Sequence, residues 1–94
     1  MLEKCYQKSP DIVFRKIADE FILVPIRNNV GDLENIYTLN EVGSRIWELI
    51  DGRRSVQNIK EIIVDEFDID EQTASQDIKE FLERLEKAWQ IKEA

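Results

Sequence analysis

The 94-residue chain contains no histidine. Imidazole is the commonest general base and the commonest metal ligand at neutral pH, so both roles lose their usual carrier. A single cysteine, Cys5, is present. It has no second thiol to bridge and no imidazole to activate it, which excludes an intramolecular disulfide and a thiol–imidazole pair. The three glycines, at 31, 43 and 52, stand far apart and form no phosphate-cradling loop. No apolar run approaches the roughly 20 residues of a membrane span. The opening "MLEKCYQKSPD" lacks the apolar stretch of a secretory signal. The acidic run Asp65-Glu66, Asp68, Asp70-Glu71 lacks the glycine and terminal glutamate of a calcium loop and reads as helix ends and solvated surface. These absences describe a cytoplasmic binding module with no cofactor, no metal and no membrane contact, and not an enzyme.

What is present is charge and two kinds of periodicity. The net charge is −7, and most of it lies in the second half. Residues 1–39 carry 5 basic and 6 acidic side chains, and residues 40–94 carry 8 basic and 14 acidic. "DIVFRKI" (11–17) and "EFILVPI" (20–26) are rich in β-branched and aromatic residues and predict a β-hairpin turning at Ala18-Asp19. "RNNVGDLE" (27–34) reads as a loop, and "NIYTL" (35–39) as a third strand. Short connections make an antiparallel meander the default.

From Asn40 the period becomes helical. Asn40 is a good N-cap, with Thr38 and Glu41 as a competing capping box. Val42, Ile46, Leu49 and Ile50 form one stripe, and Gly52 is the expected stop, giving a helix over about 40–51. Ser55 caps a second helix over 55–67, and Asp70 a third over 70–88. The third carries Ala74, Ile78, Phe81, Leu82, Leu85 and Trp89, and "WQIKEA" can close in a short extended piece. The predicted fold is α+β and winged-helix-like: a three-stranded antiparallel sheet followed by a three-helix bundle, all in one domain spanning 1–94. Gly43 costs a helix interior about 1 kcal/mol relative to alanine, so it implies a close approach on that flank. Trp47, one turn on, reads as core or as the wall of a groove. If the second strand is central, the third has a free edge to which a peptide can add as a further strand.

"YTLNEVGSRIWELIDGRRSVQNI" resembles the PqqD-like family, named for the pyrroloquinoline quinone biosynthesis D protein. "ADEFILVPI" and "DEFDIDEQTASQDIKEFLERLEKAWQI" are similar to the family's preceding strand and closing helix, so the resemblance covers about residues 12–92. Asn40, Gly43, Trp47 and Gly52 match its signature, in positions that read physically as cap, close contact, core and stop. The resemblance implies a recognition element that binds the leader of a ribosomally made precursor peptide and presents it to a modifying enzyme, often a radical S-adenosylmethionine protein. It implies that the leader adds along the third strand, beside the third helix. The expected peptide-binding residues are therefore Ile36, Tyr37 and Thr38 with Ile78, Phe81, Leu82 and Leu85.

Two other readings stand beside it. A winged helix can be a nucleic-acid-binding regulator, but the expected reading helix carries six acidic and three basic residues between Asp70 and Ala88. Its first turn opens with Asp70 and Glu71, which repel phosphate, so no nucleic-acid partner is expected. The third reading is a structural module that self-associates, as a homodimer, through the free strand edge.

Overall fold

The computed structural model describes residues 3–27, 30–31, 36–88 and 90–94. Asn35 and Trp89, and most of the expected loop over 27–34, lie outside the described residues. The elements in order are β1 (Tyr6–Lys8), β2 (Ile12–Ile17), β3 (Glu20–Arg27), β4 (Val30–Gly31), β5 (Tyr37–Leu39), α1 (Glu41–Leu49), α2 (Val56–Phe67), α3 (Glu71–Lys87) and β6 (Ile91–Glu93).

The β-branched runs pair as the alternation predicts. β2 and β3 form an antiparallel hairpin in which Phe14 opposes Leu23 and Ile17 opposes Glu20. The turn places Ala18 at φ +55°, in the left-handed region. β5 pairs antiparallel with β3, with Phe21 opposite Leu39 and Leu23 opposite Tyr37. The other pairing of β3, to the two-residue β4, involves Ile26 and Arg27. β3 is thus the central strand of the meander, and Leu23 at its middle is fully buried. The expected loop after residue 26 differs in one respect: the hairpin continues through Arg27 and returns in β4 before reaching β5.

The three helices start at the three predicted caps. Asn40 Oδ1 accepts the Gly43 N–H at 2.7 Å, so the Thr38–Glu41 alternative is not used. Ser55 and Asn58 form a reciprocal capping box, and Asp70 Oδ1 accepts the Thr73 N–H at 2.7 Å. The first helix ends earlier than Gly52 predicts. It stops at Leu49, and Ile50 turns extended with its side chain 1 % exposed. Asp51 then accepts the N–H groups of Arg53 and Arg54 at 2.9 and 2.8 Å, which builds a turn in place of a further helical turn. Gly52, at φ +79°, donates its N–H to Tyr6 O at 2.8 Å. Its left-handed backbone serves a contact with the N-terminal segment and not the helix stop itself.

That segment was given no element by the sequence. β1 pairs antiparallel with β6, Tyr6 opposite Glu93 and Lys8 opposite Ile91, as a second two-stranded sheet. The Val56 N–H donates to Lys4 O and the Ala94 N–H to Cys5 O, both at 2.9 Å, so the N-terminal segment lies between the α1–α2 loop and the C-terminal strand. Tyr6 and Ile91 enter the core with Ile46, Trp47, Ile59 and Leu85. Arg45 joins α1 to α2 through a forked pair of bonds to Glu66, at 2.9 and 3.0 Å.

Two backbone positions and two carboxylates give testable consequences. Left-handed φ costs an L-residue about 1–2 kcal/mol and glycine almost nothing. Gly52→Ala is expected to lower stability by about 1 kcal/mol, and Ala18→Gly to raise it by a few tenths, about 0.5 kcal/mol. Urea titrations of the two variants check both signs. Amide donors hold two exposed carboxyls below their ordinary 3.8: chiefly that of Arg54 for Asp51 and that of Thr73 for Asp70. The folded chain therefore binds fewer protons than the unfolded one in acid. The stabilisation is complete above the unfolded value and is lost as pH falls through the folded one. Asp70→Asn, a cap that does not titrate, is expected to flatten the acid limb of a stability–pH profile, and an unchanged limb would contradict it.

Candidate functional site

β5 is three residues long and runs directly into the cap of α1. Its register with β3 uses one edge, and among the described residues no strand occupies the other. The C-terminal strand, a plausible cover for such an edge, is taken up by β1.

Where β5 gives way to α1, a cleft of about 220 Å³ separates α1 from α3. Asn40, Val42, Gly43 and Ile46 line one side, and Asp77, Glu80, Phe81 and Arg84 the other. The second set falls at i, i+3, i+4 and i+7, one face of a helix. Gly43 explains the closeness of the two helices. A β-carbon there would lie 3.3 Å from the Phe81 ring and 3.2 Å from the capping Asn40 Oδ1. The sequence implied that another backbone, the third strand being one candidate, comes close at Gly43; the neighbours are instead side chains, the Phe81 ring of α3 and, at 3.7 Å, Leu39 Cβ of β5.

Beside the cleft, β5 is tied to α3. The Tyr37 ring meets the Phe81 ring edge-on at 6.4 Å between centroids. Arg84 donates to Tyr37 Oη at 3.4 Å and stands 4.0 Å from Glu80. Gln76 donates to Glu80 Oε1 at 2.7 Å from the flank. Among the described residues Asp77 makes no hydrogen bond or ion pair. The cleft therefore combines an apolar floor of Val42, Gly43, Ile46 and Phe81 with a charged rim that is acidic by one unit.

The seven residues expected to bind peptide do not share one surface. Ile36 is exposed at 38 %, Thr38 is exposed, and Tyr37 is half-buried beside Phe81. Phe81 lines the cleft. Ile78, Leu82 and Leu85 are 1 % exposed or less and belong to the core shared with α1 and α2. Asp77, Glu80 and Arg84 line the cleft as well, and Asp77 and Arg84 stand one turn to either side of Phe81. Trp47 is core: it is 3 % exposed and does not line the cleft. The Lys8 ammonium sits 5.3 Å above its ring, a position whose burial lowers the lysine pKa. Among the described residues no three His, Cys, Asp or Glu side chains converge as a metal site, and no helix is long and apolar enough to cross a membrane.

The family model described as coenzyme PQQ synthesis protein D (PqqD) matches residues 15–89. No curated protein sequence matches the chain significantly. Among solved structures, TbiB1 in complex with the TbiA(beta) leader peptide is similar at 27 % identity, with a TM-score of 0.73, over 92 % of this chain and 94 % of that one. The match to the family model takes in β3, β5 and all three helices, and with it the chain belongs to the PqqD family.

Proposed function

We propose that this chain is a non-catalytic recognition element that binds the leader of a ribosomally synthesised precursor peptide by strand addition to β5 and presents it to a modifying enzyme. The observation that carries the reading is the β5 edge beside the α1–α3 cleft, in a fold shared with a protein solved bound to a leader peptide. The main chain of the leader would supply the bonds, and Phe81 with the α1 floor the side-chain contacts. In this reading Ile36, Tyr37, Thr38 and Phe81, of the residues expected from the sequence, touch the peptide. Ile78, Leu82 and Leu85 act from beneath, by holding α3 in position. The enzyme that receives the peptide, a radical S-adenosylmethionine protein being one such class, is a partner and supplies the chemistry.

The experiment is an amide NMR titration of the labelled chain with the leader from a short reading frame beside its gene. Shifts are expected at residues 36–39 and along Asp77–Arg84. A well-folded protein whose shifts fall elsewhere overturns strand addition at β5, and concentration-dependent shifts without peptide would favour self-association through that edge. Ile36→Pro removes a backbone donor next to the edge. It is expected to weaken the leader about tenfold, the worth of one net hydrogen bond.

A matched pair of α3 variants separates surface from core. Leu82→Ala should cost about 2–5 kcal/mol of stability, as a buried leucine does, with little effect on the affinity of the folded fraction. Phe81→Ala should weaken the leader several-fold in calorimetry. Equal affinities for both variants would remove Phe81 from the contact.

A further inference from the structure

α3 presents a second face with a cavity of its own. Gln72, Ser75, Gln76 and Lys79 again fall at i, i+3, i+4 and i+7, and with Val56 and Lys60 of α2 they line a pocket of about 300 Å³. This stripe is displaced by five residues from the one that lines the cleft, about 140° around the helix at 100° per residue. The two cavities therefore open on different sides of α3.

The chemistry of this pocket is unlike the rest of the chain. The floor is apolar, formed by Val56 and Ile78, which are 3 % and 1 % exposed. The charged residues on its lining are two lysines, Lys60 and Lys79, in a protein of net charge −7. Lys60 is the telling residue. It is only 9 % exposed, yet among the described residues it has no hydrogen bond or ion pair. A buried charge without a partner is costly, and lysines that bury their stems normally send the head to water or to an anion. The Lys60 ammonium is not sealed off: the buried side-chain atom without a partner among the described residues is Gln90 Oε1. The Lys60 head therefore reaches solvent, while its side chain lines the pocket opposite Lys79 of the facing helix.

We propose that the α2–α3 pocket is a docking site for an acidic anchor of a partner protein, a glutamate or aspartate carboxylate next to an apolar side chain. The carboxylate is held by Lys60 and Lys79, and the apolar neighbour covers Val56 and Ile78. Charge complementarity selects a carboxylate: a basic or neutral anchor would leave both lysines unpaired. Line broadening that grows with chain concentration in the absence of peptide would make the occupant a second copy and overturn the partner reading. The placement leaves the β5 cleft open, so a chain carrying a leader can be held here by the protein that works on it. That last step rests on the strand-addition reading; the pocket chemistry does not.

The test needs no leader. The labelled full chain is titrated with two blocked peptides, acetyl-Gly-Leu-Glu-Gly-amide and its Leu-Gln counterpart, and with phenylacetate. Saturable shifts are expected at Lys60, Gln72, Gln76 and Lys79, with the glutamate peptide binding roughly fivefold tighter than the glutamine peptide, the scale of a partly exposed ion pair. Lys60→Met keeps the stem and removes the charge, so it should abolish that preference, and Lys60→Arg should restore it in an equally folded chain. Equal affinity for the two peptides, or a preference that survives in Lys60→Met, overturns the proposal. So does phenylacetate binding at least about tenfold tighter than the glutamate peptide, which would make the pocket a small-molecule site.

Discussion

The contact between the Phe81 ring and the bare backbone at Gly43 sets the distance between α1 and α3. The rest of the site depends on that distance. A side chain at residue 43 would press on the ring and on the oxygen that caps α1 at the same time, because Asn40 Oδ1 lies on the same side. The cap, the helix spacing and the floor of the cleft are thus one local arrangement. The helix-propensity cost of glycine, about 1 kcal/mol, is offset by what its absent side chain admits.

β3 does for the sheet what this contact does for the helices. It pairs with β2 along nearly its whole length, and the short β5 is left with one partner among the described residues. An open edge is ordinarily a hazard, because its unpaired amides and carbonyls invite other chains. Here the edge is only three residues long and lies beside α3, so an entering strand meets side chains as well as backbone.

Much of this was legible in the residues, and the rest was hidden for identifiable reasons. The β2–β3 hairpin announces itself by its β-branched alternation, and all three N-caps by a polar residue placed just before an apolar stripe. Gly52 suggests a later end for α1 because glycine is a common helix stop, while the helix ends where Ile50 turns extended, followed by a turn in which the Asp51 side chain accepts two amides. β1 was missed because its partner is β6, at the far end of the chain, and local periodicity carries no trace of such a pairing. Within α3, sequence alone could not separate Phe81 from Ile78, Leu82 and Leu85. All four are apolar at helical spacing, and only the position of α1 decides which one is left at the edge of the cleft.

The β1–β6 ladder has a kinetic meaning of its own. It joins residue 6 to residue 93, so it closes nearly the whole chain into a loop with three residue pairs. The three helices and the β2–β3 hairpin rest on far shorter separations and carry a smaller loop-closure cost. The clasp is thus the element whose formation waits for the others, and the natural first step of partial opening. The Lys8 ammonium that stands over the Trp47 ring belongs to this clasp, so that contact is made only once the two ends of the chain have met.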